Sequence, residues 1–556
     1  DADNKMSAFV DPIIKCCLEA FETHHEQLII NALQTLTNAI DNIEFDSSYL
    51  EILIPKITSL AASNNITITE YAIPVFSALT VKCENDIIPY IPSFLPLIVH
   101  AAQINEKNDP ILKGEALETL AQIISVAPAE SSSIIEPSMQ LFMECTKTED
   151  TTIIASLLKS FSFLVSAKFN GIESILPTII QFSISQLDLG KTLNVITDEN
   201  FNPYEEENTG TNIDIYESIM NALSVINSAA KSATEYLAPY IKEVTESVLS
   251  YTNLPDSQIS RHSISYLATL IVTYHLTPNE YIYQLISEPY DLFQDYDEGN
   301  VAEMFLFCKT ILENDCPVDP KFLELFYQYS LKAIEHKLPA LKSYQRDNNN
   351  KYNEFNEEED DADFDDDAND KSEFDIVEAV FELLSVLVSK RFFNSQTLTK
   401  LVSSLKNAQK KNFTLDVIYG TDILGQLFEV DQTSFSKLAL KFSLNIIHDC
   451  LPLCDGTYRP CPLDATRRII STNITVLNDI IPQIIEKTNS ILALENQWQP
   501  FYKATLSRAV SLLFALFKIQ GQEFPLNNYF PAMLSSLPSR YYANYIYGTL
   551  VILYLQ

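Results

Sequence analysis

The chain has 556 residues, more than one compact hydrophobic core usually holds, so it contains either several domains or an array of repeats. Its 46% of hydrophobic residues excludes a disordered protein, and its 10 glycines are too few for a fold rich in tight β-hairpins. The net charge of -37 disfavours binding to nucleic acid or to anionic membranes and favours basic protein partners, although an acidic charge can also serve solubility alone.

The amino-terminal part of the chain contains a repeated motif, a proline surrounded by apolar residues. Pro55, Pro96, Pro137 and Pro177 follow one another at intervals of 41, 41 and 40 residues. We expect each proline to lie in the first turn of a helix, where its missing N–H breaks no hydrogen bond. The series continues, after a longer interval of 62 residues, with Pro239, Pro278 and Pro320.

A second helix is predicted after each of these first helices. In the clearest case, Asp109 is placed as the N-cap and Pro110 as the first helical residue. The apolar residues that follow share one helical stripe; they are Leu117, Leu120, Ala121 and Ile124. A two-helix unit of ~40 residues has the period of HEAT and armadillo repeats. We therefore predict an all-α fold, an α-solenoid superhelix of roughly eleven or twelve HEAT repeats.

The predicted solenoid runs continuously over residues 1–556 and is interrupted at three places. Acidic insertions are expected at about 190–212 and 345–374, and an irregular loop at about 449–463. Because the chain begins at Asp1 rather than Met and ends inside an apolar run, we interpret it as a piece of a longer protein. No apolar run reaches the roughly 18 residues of a transmembrane helix.

Motifs that would indicate catalysis or metal binding are weak. Gly190-Lys191-Thr192 looks like the end of a phosphate-binding loop, but Ser185 occupies the position of its first glycine. We predict neither an enzyme nor a cofactor. The odd number of cysteines favours reduced thiols. A zinc site in the loop near residue 450 is the weaker alternative, since its spacing fits no standard pattern; its candidate ligands are His448, Cys450, Cys454 and Cys461.

Acidic residues on the second helices are candidates for binding a basic peptide, if those helices line the concave face of the solenoid. Ordinary solvated helix faces remain the alternative interpretation. The candidate residues are Asp214, Glu217, Asp295, Asp297, Glu298, Glu303, Glu373, Asp375, Glu378 and Glu382.

A dense acidic run in the second insertion is a further candidate. It is either a solvated loop or an electrostatic clamp for a basic ligand, and the interspersed Phe355 and Phe364 favour the clamp. Its acidic residues are Glu357, Glu358, Glu359, Asp360, Asp361, Asp363, Asp365, Asp366 and Asp367.

Three short segments and the order of the insertions resemble the importin-β superfamily of nuclear transport receptors, most closely the importin-four and importin-five type. The segments are Leu112–Leu120, Ser138–Met143 and Leu534–Pro538. This resemblance implies a receptor that shuttles between cytoplasm and nucleus and binds basic nuclear localisation segments of cargo such as ribosomal proteins and histones. It also implies contacts with Phe-Gly nucleoporins and release of cargo by Ran-GTP, to which the acidic loop contributes.

Three other functions are compatible with the sequence. A HEAT-repeat scaffold subunit would not need this acidic charge. A chaperone for basic proteins would bind them but ignore Ran-GTP. An export receptor of the same superfamily would bind cargo more tightly with Ran-GTP.

Overall fold

The computed structural model describes most of the chain, with gaps at the insertions and at both ends. The described residues are 9–23, 25–43, 45–63, 65–104, 107–129, 132–167, 171–192, 210–254, 257–287, 291–341, 366–431, 435, 437–451, 461–473, 481–492 and 500–520. All regular secondary structure in these ranges is helical, which confirms the predicted all-α fold. The chain divides into two units, one that extends to Leu276 and one that begins at Thr277.

The first unit is a stack of helix pairs. Its main helices are α1 (Val10–Phe21), α2 (Glu26–Asn42), α3 (Leu50–Ala61), α4 (Ile66–Cys83), α5 (Ile91–Ala102), α6 (Pro110–Val126), α7 (Ser132–Cys145), α8 (Thr151–Ala167), α9 (Leu176–Thr192), α10 (Gly210–Ser232), α11 (Ile241–Tyr251) and α12 (Ser257–Thr273). A single helical turn, Thr234–Leu237, precedes α11.

The second unit repeats this arrangement. Its helices are α13 (Pro278–Leu285), α14 (Glu298–Glu313), α15 (Pro320–Ile334), α16 (Asp366–Ser389), α17 (Ser395–Lys410), α18 (Thr414–Val430), α19 (Lys437–Cys450), α20 (Cys461–Asn473), α21 (Ile481–Leu492) and α22 (Pro500–Gln520).

In both units the odd-numbered helices are the first of each pair and the even-numbered helices are the second. The second helices pack against one another along much of their length, whereas neighbouring first helices touch at few points. Closer spacing on one side makes a stack curve toward that side, so the second helices line the concave face of each unit. This pairing, with contacts mainly between neighbours, is the HEAT-repeat solenoid architecture predicted from the sequence.

Small residues allow the second helices to approach closely. A Cβ atom added to Gly114 on α6 would lie 2.6 Å from Oγ of Ser156 on α8. A Cβ atom added to Gly425 on α18 would lie 2.6 Å from the Cα of Ala465 on α20. At Gly425 the backbones of α18 and α20 are therefore in direct contact, and at Gly114 the Ser156 side chain lies in the space that a larger residue would fill.

The predicted start of α6 is confirmed. The carboxylate of Asp109 accepts a hydrogen bond from the backbone N–H of Leu112 over 3.0 Å, and Pro110 is the first helical residue. The predicted apolar stripe of this helix is buried. Capping by Asp recurs on second helices, since Asp297 accepts a hydrogen bond of 2.8 Å from the backbone N–H of Asn300 at the start of α14.

The expected position of the repeated prolines is wrong for three of them. Pro55, Pro96 and Pro137 lie inside α3, α5 and α7 rather than in the first turn. For α3 and α5, a 3-10 helix runs directly into the α-helix and so extends the helical path before the proline. Tertiary packing thus overrides the loss of one backbone hydrogen bond per proline. Pro278 and Pro320 do begin their helices.

Several helices end on a residue other than glycine in the left-handed conformation. After α12, His275 has a φ of 51°, and the N–H of Leu276 donates to the carbonyl of Ile271 over 3.0 Å. This is the hydrogen bond of a Schellman motif, which usually has glycine at the left-handed position. The other such residues are Asp315, His336, Arg391 and Asn412. In a chain with few glycines, these five of the described helix ends therefore carry backbone strain.

Helices begin or end close to the predicted bounds of the insertions. α10 begins at Gly210, near the end of the first insertion, and α19 and α20 flank the irregular loop. α16 already begins at Asp366, inside the acidic insertion predicted for 345–374, because an acidic sequence is favourable at a helix amino terminus. The single continuous array over residues 1–556 stays a prediction.

We expect Gly425→Ala to lower the free energy of unfolding by about 2 kcal/mol, because the clash with the Ala465 backbone exceeds the gain in helix propensity. Chemical denaturation measures the change. Ser403→Ala, at an exposed position of α17, is the control and should leave stability nearly unchanged. A Gly425→Ala protein more stable than its parent would contradict the close contact between α18 and α20.

We expect His275→Gly to raise the free energy of unfolding by about 0.5 kcal/mol, because glycine removes the left-handed strain but adds freedom to the unfolded chain. His100→Gly is the matched control, since His100 lies in the last turn of α5. There the same change should destabilise by about 1 kcal/mol. Equal effects of the two substitutions would argue against strain at His275.

Candidate functional site

The sequence-predicted residue Asp214 holds two second helices together. Its Oδ2 accepts hydrogen bonds from the hydroxyls of Thr151 and Thr152, over 2.9 and 2.7 Å. Both threonines lie in the first turn of α8, whereas Asp214 lies near the start of α10. Asp214 is therefore engaged in the contact between the two helices, while Glu217, one turn later, is exposed.

Four predicted acidic residues cluster at the start of α14, and two of them stabilise its amino terminus. Asp297 is the N-cap, and Asp295 accepts hydrogen bonds from the backbone N–H of Asp297 and from the side chain of Asn300, over 3.1 and 3.0 Å. Glu298 and Glu303 follow on the helix and are half-buried. Part of this predicted cluster is thus used in capping.

Glu378 and Glu382 lie on α16, beside a lysine of the neighbouring second helix. Nζ of Lys309 on α14 lies 2.8 Å from Oε2 of Glu382, and the carboxylate of Glu378 also attracts this ammonium group. Burial opposes the charge of Lys309, but Glu382 and its neighbours raise the pKa of the ammonium above its usual range. The side chains of Glu373 and Asp375 are outside the described part of the chain.

Most of the predicted acidic loop also lies outside the described residues. This applies to Glu357, Glu358, Glu359, Asp360, Asp361, Asp363 and Asp365. Asp366 and Asp367 form the beginning of α16.

The described residues contain no group of three His, Cys, Asp or Glu side chains arranged to hold a metal ion. Cys450 is buried and Cys461 is half-buried, and Cys454 is not among the described residues. In the same ranges, no helix is both long and apolar enough to cross a lipid bilayer.

Four charged side chains from three second helices converge on the concave face of the first unit, and we call them the α6–α8–α10 cluster. They are Glu115 and Glu118 on α6, Lys159 on α8 and Glu217 on α10. Nζ of Lys159 lies 2.7 Å from Oε2 of Glu118. The side chain of Glu118 is only 9% exposed, whereas that of Lys159 is 50% exposed. The carboxylates of Glu115 and Glu217 make no hydrogen bond or ion pair with described residues.

The cluster holds more negative than positive charge, and its pKa values reflect this. Desolvation raises the pKa of Glu115 to about 7, and repulsion from Glu118, Glu217 and Glu70 acts in the same direction. Lys159 opposes this rise without cancelling it. Desolvation also raises the pKa of Glu217, because this exposed side chain lies on the concave face of the stack. Repulsion from the carboxylates of Asp214 and Glu118 acts in the same direction.

The acidic surface continues from the cluster onto the preceding second helices. On α4, desolvation and the nearby Asp109 raise the pKa of Glu70. On α2, desolvation raises the pKa of Asp41 despite the attraction of Lys82 and Lys159. Carboxylates whose charge is disfavoured in the free protein would gain from a cationic ligand, because an ammonium or guanidinium group within ~4–6 Å favours the ionised form.

On the second helices of the second unit, carboxylates form more ion pairs with cationic side chains than those of the α6–α8–α10 cluster do. Nε of Arg468 on α20 lies 3.8 Å from Oδ1 of Asp422 on α18, and Arg468 also pairs with Glu429. Nε of Arg508 on α22 lies 2.5 Å from Oδ2 of Asp464. These ion pairs tie neighbouring helices to each other. The unmatched charge of the first unit is therefore the better candidate site.

Glu70, Glu115, Glu118 and Lys159 are residues that sequence reasoning missed. Glu115 and Glu118 are three positions apart on α6, within the segment that carries the resemblance to a known family. Positions i and i+3 share a helix face, so this pair was visible in the sequence. Their proximity to Glu217 was not visible in the sequence, because it depends on how α8 and α10 pack beside α6.

No family model matches the chain. Importin subunit beta-3 of Saccharomyces cerevisiae is 22% identical to it over 262 residues, which cover 44% of this chain and 24% of that protein. A crystal structure of a Kap121p mutant covers 99% of this chain with a TM-score of 0.67 at 14% identity. The structure of Kap121p bound to Pho4p covers 98% with a TM-score of 0.64 at 16% identity. The resemblance to the importin-β superfamily is confirmed.

The chain spans about half the length of its structural relatives in the importin-β superfamily, since the alignments cover 53% of the Kap121p chains. At these identities the comparison establishes a shared fold. The α6–α8–α10 cluster is a property of this chain's own residues, and the comparison leaves its role open to a direct test.

We expect Glu115→Gln to stabilise the protein at high pH only. The folded-state pKa of about 7 lies above the ordinary 4.5, so stability from this group is lost as pH rises from 4.5 to 7. At about pH 8 the substitution should therefore raise the free energy of unfolding by on the order of 2 kcal/mol, with little effect near pH 4. Glu51→Gln, at an exposed position of α3, is the control. A stabilisation independent of pH would contradict the raised pKa.

Proposed function

We propose that the protein is a nuclear transport receptor of the importin-β type. It binds basic nuclear localisation segments of cargo on the concave, acidic face of its second helices and carries the cargo through the nuclear pore. Ran-GTP releases the cargo in the nucleus, and Phe-Gly nucleoporins bind the receptor during passage. The receptor shuttles between cytoplasm and nucleus and has no catalytic role and no cofactor.

The observation that carries this proposal is the excess of carboxylates in the α6–α8–α10 cluster. Three carboxylates there share one ammonium group, and Glu115 has no partner of its own. A lysine or arginine side chain of a bound peptide would supply the missing positive charge. Because Glu70 and Asp41 extend the acidic surface along the stack, an extended basic segment can meet carboxylates from several repeats.

The relatives support the same class of function. Kap121p has been seen bound to Pho4p, to Nup53p and to RanGTP. We extend to this protein the binding of protein cargo and of Ran-GTP, and we assign basic cargo such as ribosomal proteins and histones from the charge of the site. The candidate residues Asp214, Glu217, Glu298, Glu303, Glu378 and Glu382 and the acidic run Glu357–Asp367 remain proposed contacts to cargo or Ran.

Ran-GTP and cargo would compete through the curvature of the stack. Each repeat contacts mainly its neighbours, so small rotations between repeats add up along the solenoid. Two ligands that favour different curvatures then oppose each other without sharing every contact, which is a coupling free energy between sites.

A chaperone for basic proteins is the second candidate, because the same acidic face would serve it. A chaperone would bind the same peptides, but Ran-GTP would not displace them. An export receptor would bind its cargo more tightly with Ran-GTP.

We expect the full-length protein to bind a lysine-rich peptide with a Kd of about 1 µM or tighter, and Ran-GTP to abolish this binding. Affinity should rise as the pH increases from about 6 to about 8, because a bound cation favours the ionised form of Glu115 and binding at low pH must expel its proton. Fluorescence anisotropy with a labelled peptide measures both effects.

The test variant is Glu115→Gln with Glu217→Gln, which should weaken binding at high pH and flatten the pH dependence. Glu26→Gln with Glu51→Gln, at exposed positions of α2 and α3, removes the same charge elsewhere. Binding that persists with Ran-GTP would favour the chaperone, and equal losses from the two double substitutions would argue against the cluster as the site.

A further inference from the structure

Lys159 is a basic side chain of the protein that already lies in the candidate site for basic ligands. Its ammonium group pairs with Glu118 and attracts Glu115, Glu217 and Asp41. These carboxylates come from α6, α10 and α2, so the charge of Lys159 acts on helices on both sides of α8. Burial opposes its charge, but the surrounding carboxylates raise the pKa of its ammonium above the ordinary value.

The environment of Lys159 differs from that of a purely structural ion pair. Half of its side chain is exposed, whereas the partner carboxylate of Glu118 is almost fully enclosed. A lysine stem is flexible, and its head can move into solvent while the stem stays on the surface. The pair can therefore open on the lysine side without disturbing the helix packing, leaving an enclosed carboxylate that needs a cation.

We propose that Lys159 is an internal competitor of the ligand, holding the carboxylates of the α6–α8–α10 cluster in the free protein until a basic side chain of the ligand displaces it. This inference rests on the proposed function, because it concerns the same site. It adds a specificity-determining residue. A ligand with one weakly placed lysine gains little by displacing an equivalent internal lysine, so only segments that also reach other carboxylates bind well.

Competition by Lys159 has a second consequence, which concerns the choice between lysine and arginine in the ligand. When a ligand lysine displaces Lys159, one ammonium group replaces another at Glu118. The favourable free energy of binding therefore comes from new ion pairs with Glu115 and Glu217, which Lys159 leaves without an ion pair. Arginine, which can bind two carboxylate oxygens at once, should displace Lys159 better than lysine does.

The test compares Lys159→Met and Lys159→Arg in the full-length protein, with peptide affinity measured by fluorescence anisotropy. Lys159→Met should bind a lysine-rich peptide roughly three- to tenfold more tightly than the parent, because no internal charge must be displaced. Lys159→Arg should bind it more weakly than the parent, because arginine holds the Glu118 carboxylate with two hydrogen bonds.

The control is Lys56→Met, which removes an equal charge from the first helix α3, where Lys56 is as exposed as Lys159 and also pairs with a glutamate. It should change affinity less than Lys159→Met does, since a general charge effect would act in both variants. Lys159→Met should also move the pH dependence of binding to higher pH, because Lys159 lowers the pKa of Glu115. A purely structural role of Lys159 would instead predict weaker binding by Lys159→Met and near-parent binding by Lys159→Arg.

The outcomes separate the two proposals. Peptide binding by the parent, with Lys159→Met equal to it or weaker, would overturn the competitor role and leave the proposed function intact. Equal gains in Lys159→Met and Lys56→Met would also overturn it. A parent that binds no basic peptide would overturn both. If Lys159→Met folds poorly because Glu118 loses its partner, Lys159→Arg decides, since affinity equal to or above the parent's contradicts the proposal.

Discussion

Close packing between neighbouring second helices is the constraint on which the site depends. Two helices can approach this closely only where a side chain is missing or small, as where Gly114 meets the Ser156 side chain and where Gly425 meets the Ala465 backbone. These contacts shorten the distance between second helices relative to first helices and so curve each unit. They also bring side chains from helices far apart in sequence within the range of strong electrostatic interaction. Without this packing, Glu115 and Glu217 would lie on separate solvated faces.

The consequence of this convergence differs between the two units. On the second helices of the second unit, Arg468 and Arg508 pair with carboxylates of neighbouring helices, so charge strengthens the packing. In the α6–α8–α10 cluster one ammonium group serves three carboxylates, and the pKa of Glu115 rises. Natural proteins keep such locally unfavourable charge mainly at functional sites. The net charge of the whole chain could not distinguish these two arrangements, because both units are acidic.

The features that the sequence predicted correctly are local ones. The N-cap Asp109 and the stripe from Leu117 to Ile124 depend on residues within a few positions of each other, and the structure confirms them. The fold class followed from the ~40-residue period for the same reason. The internal positions of Pro55 and Pro96 depend on tertiary packing, which local propensity does not contain.

The candidate site was predicted only in part, because its geometry is set between repeats. Asp214 and Glu217 lie on a second helix, and Asp214 accepts hydrogen bonds from the start of α8. Asp297 is the N-cap of α14 and Asp295 accepts a hydrogen bond from its N–H, roles that their position just before a helix already allowed, and their part in binding stays a prediction. Glu115 was overlooked because it is one acid in a mostly apolar helix, and its importance comes from α8 and α10.

A ligand that bridges carboxylates on α6 and α10 would do more than neutralise charge. These helices are not adjacent in the stack, since α8 lies between them. A cation that attracts carboxylates of both therefore acts across two successive contacts between repeats, α6 with α8 and α8 with α10. Repulsion among Glu115, Glu118 and Glu217 opposes tight curvature in the free protein, and a bound cation removes that repulsion. Binding at this site would therefore be coupled to the curvature of the unit. Any partner that requires a different spacing of α6, α8 and α10 would weaken the binding of the cation, and the cation would weaken the binding of that partner equally.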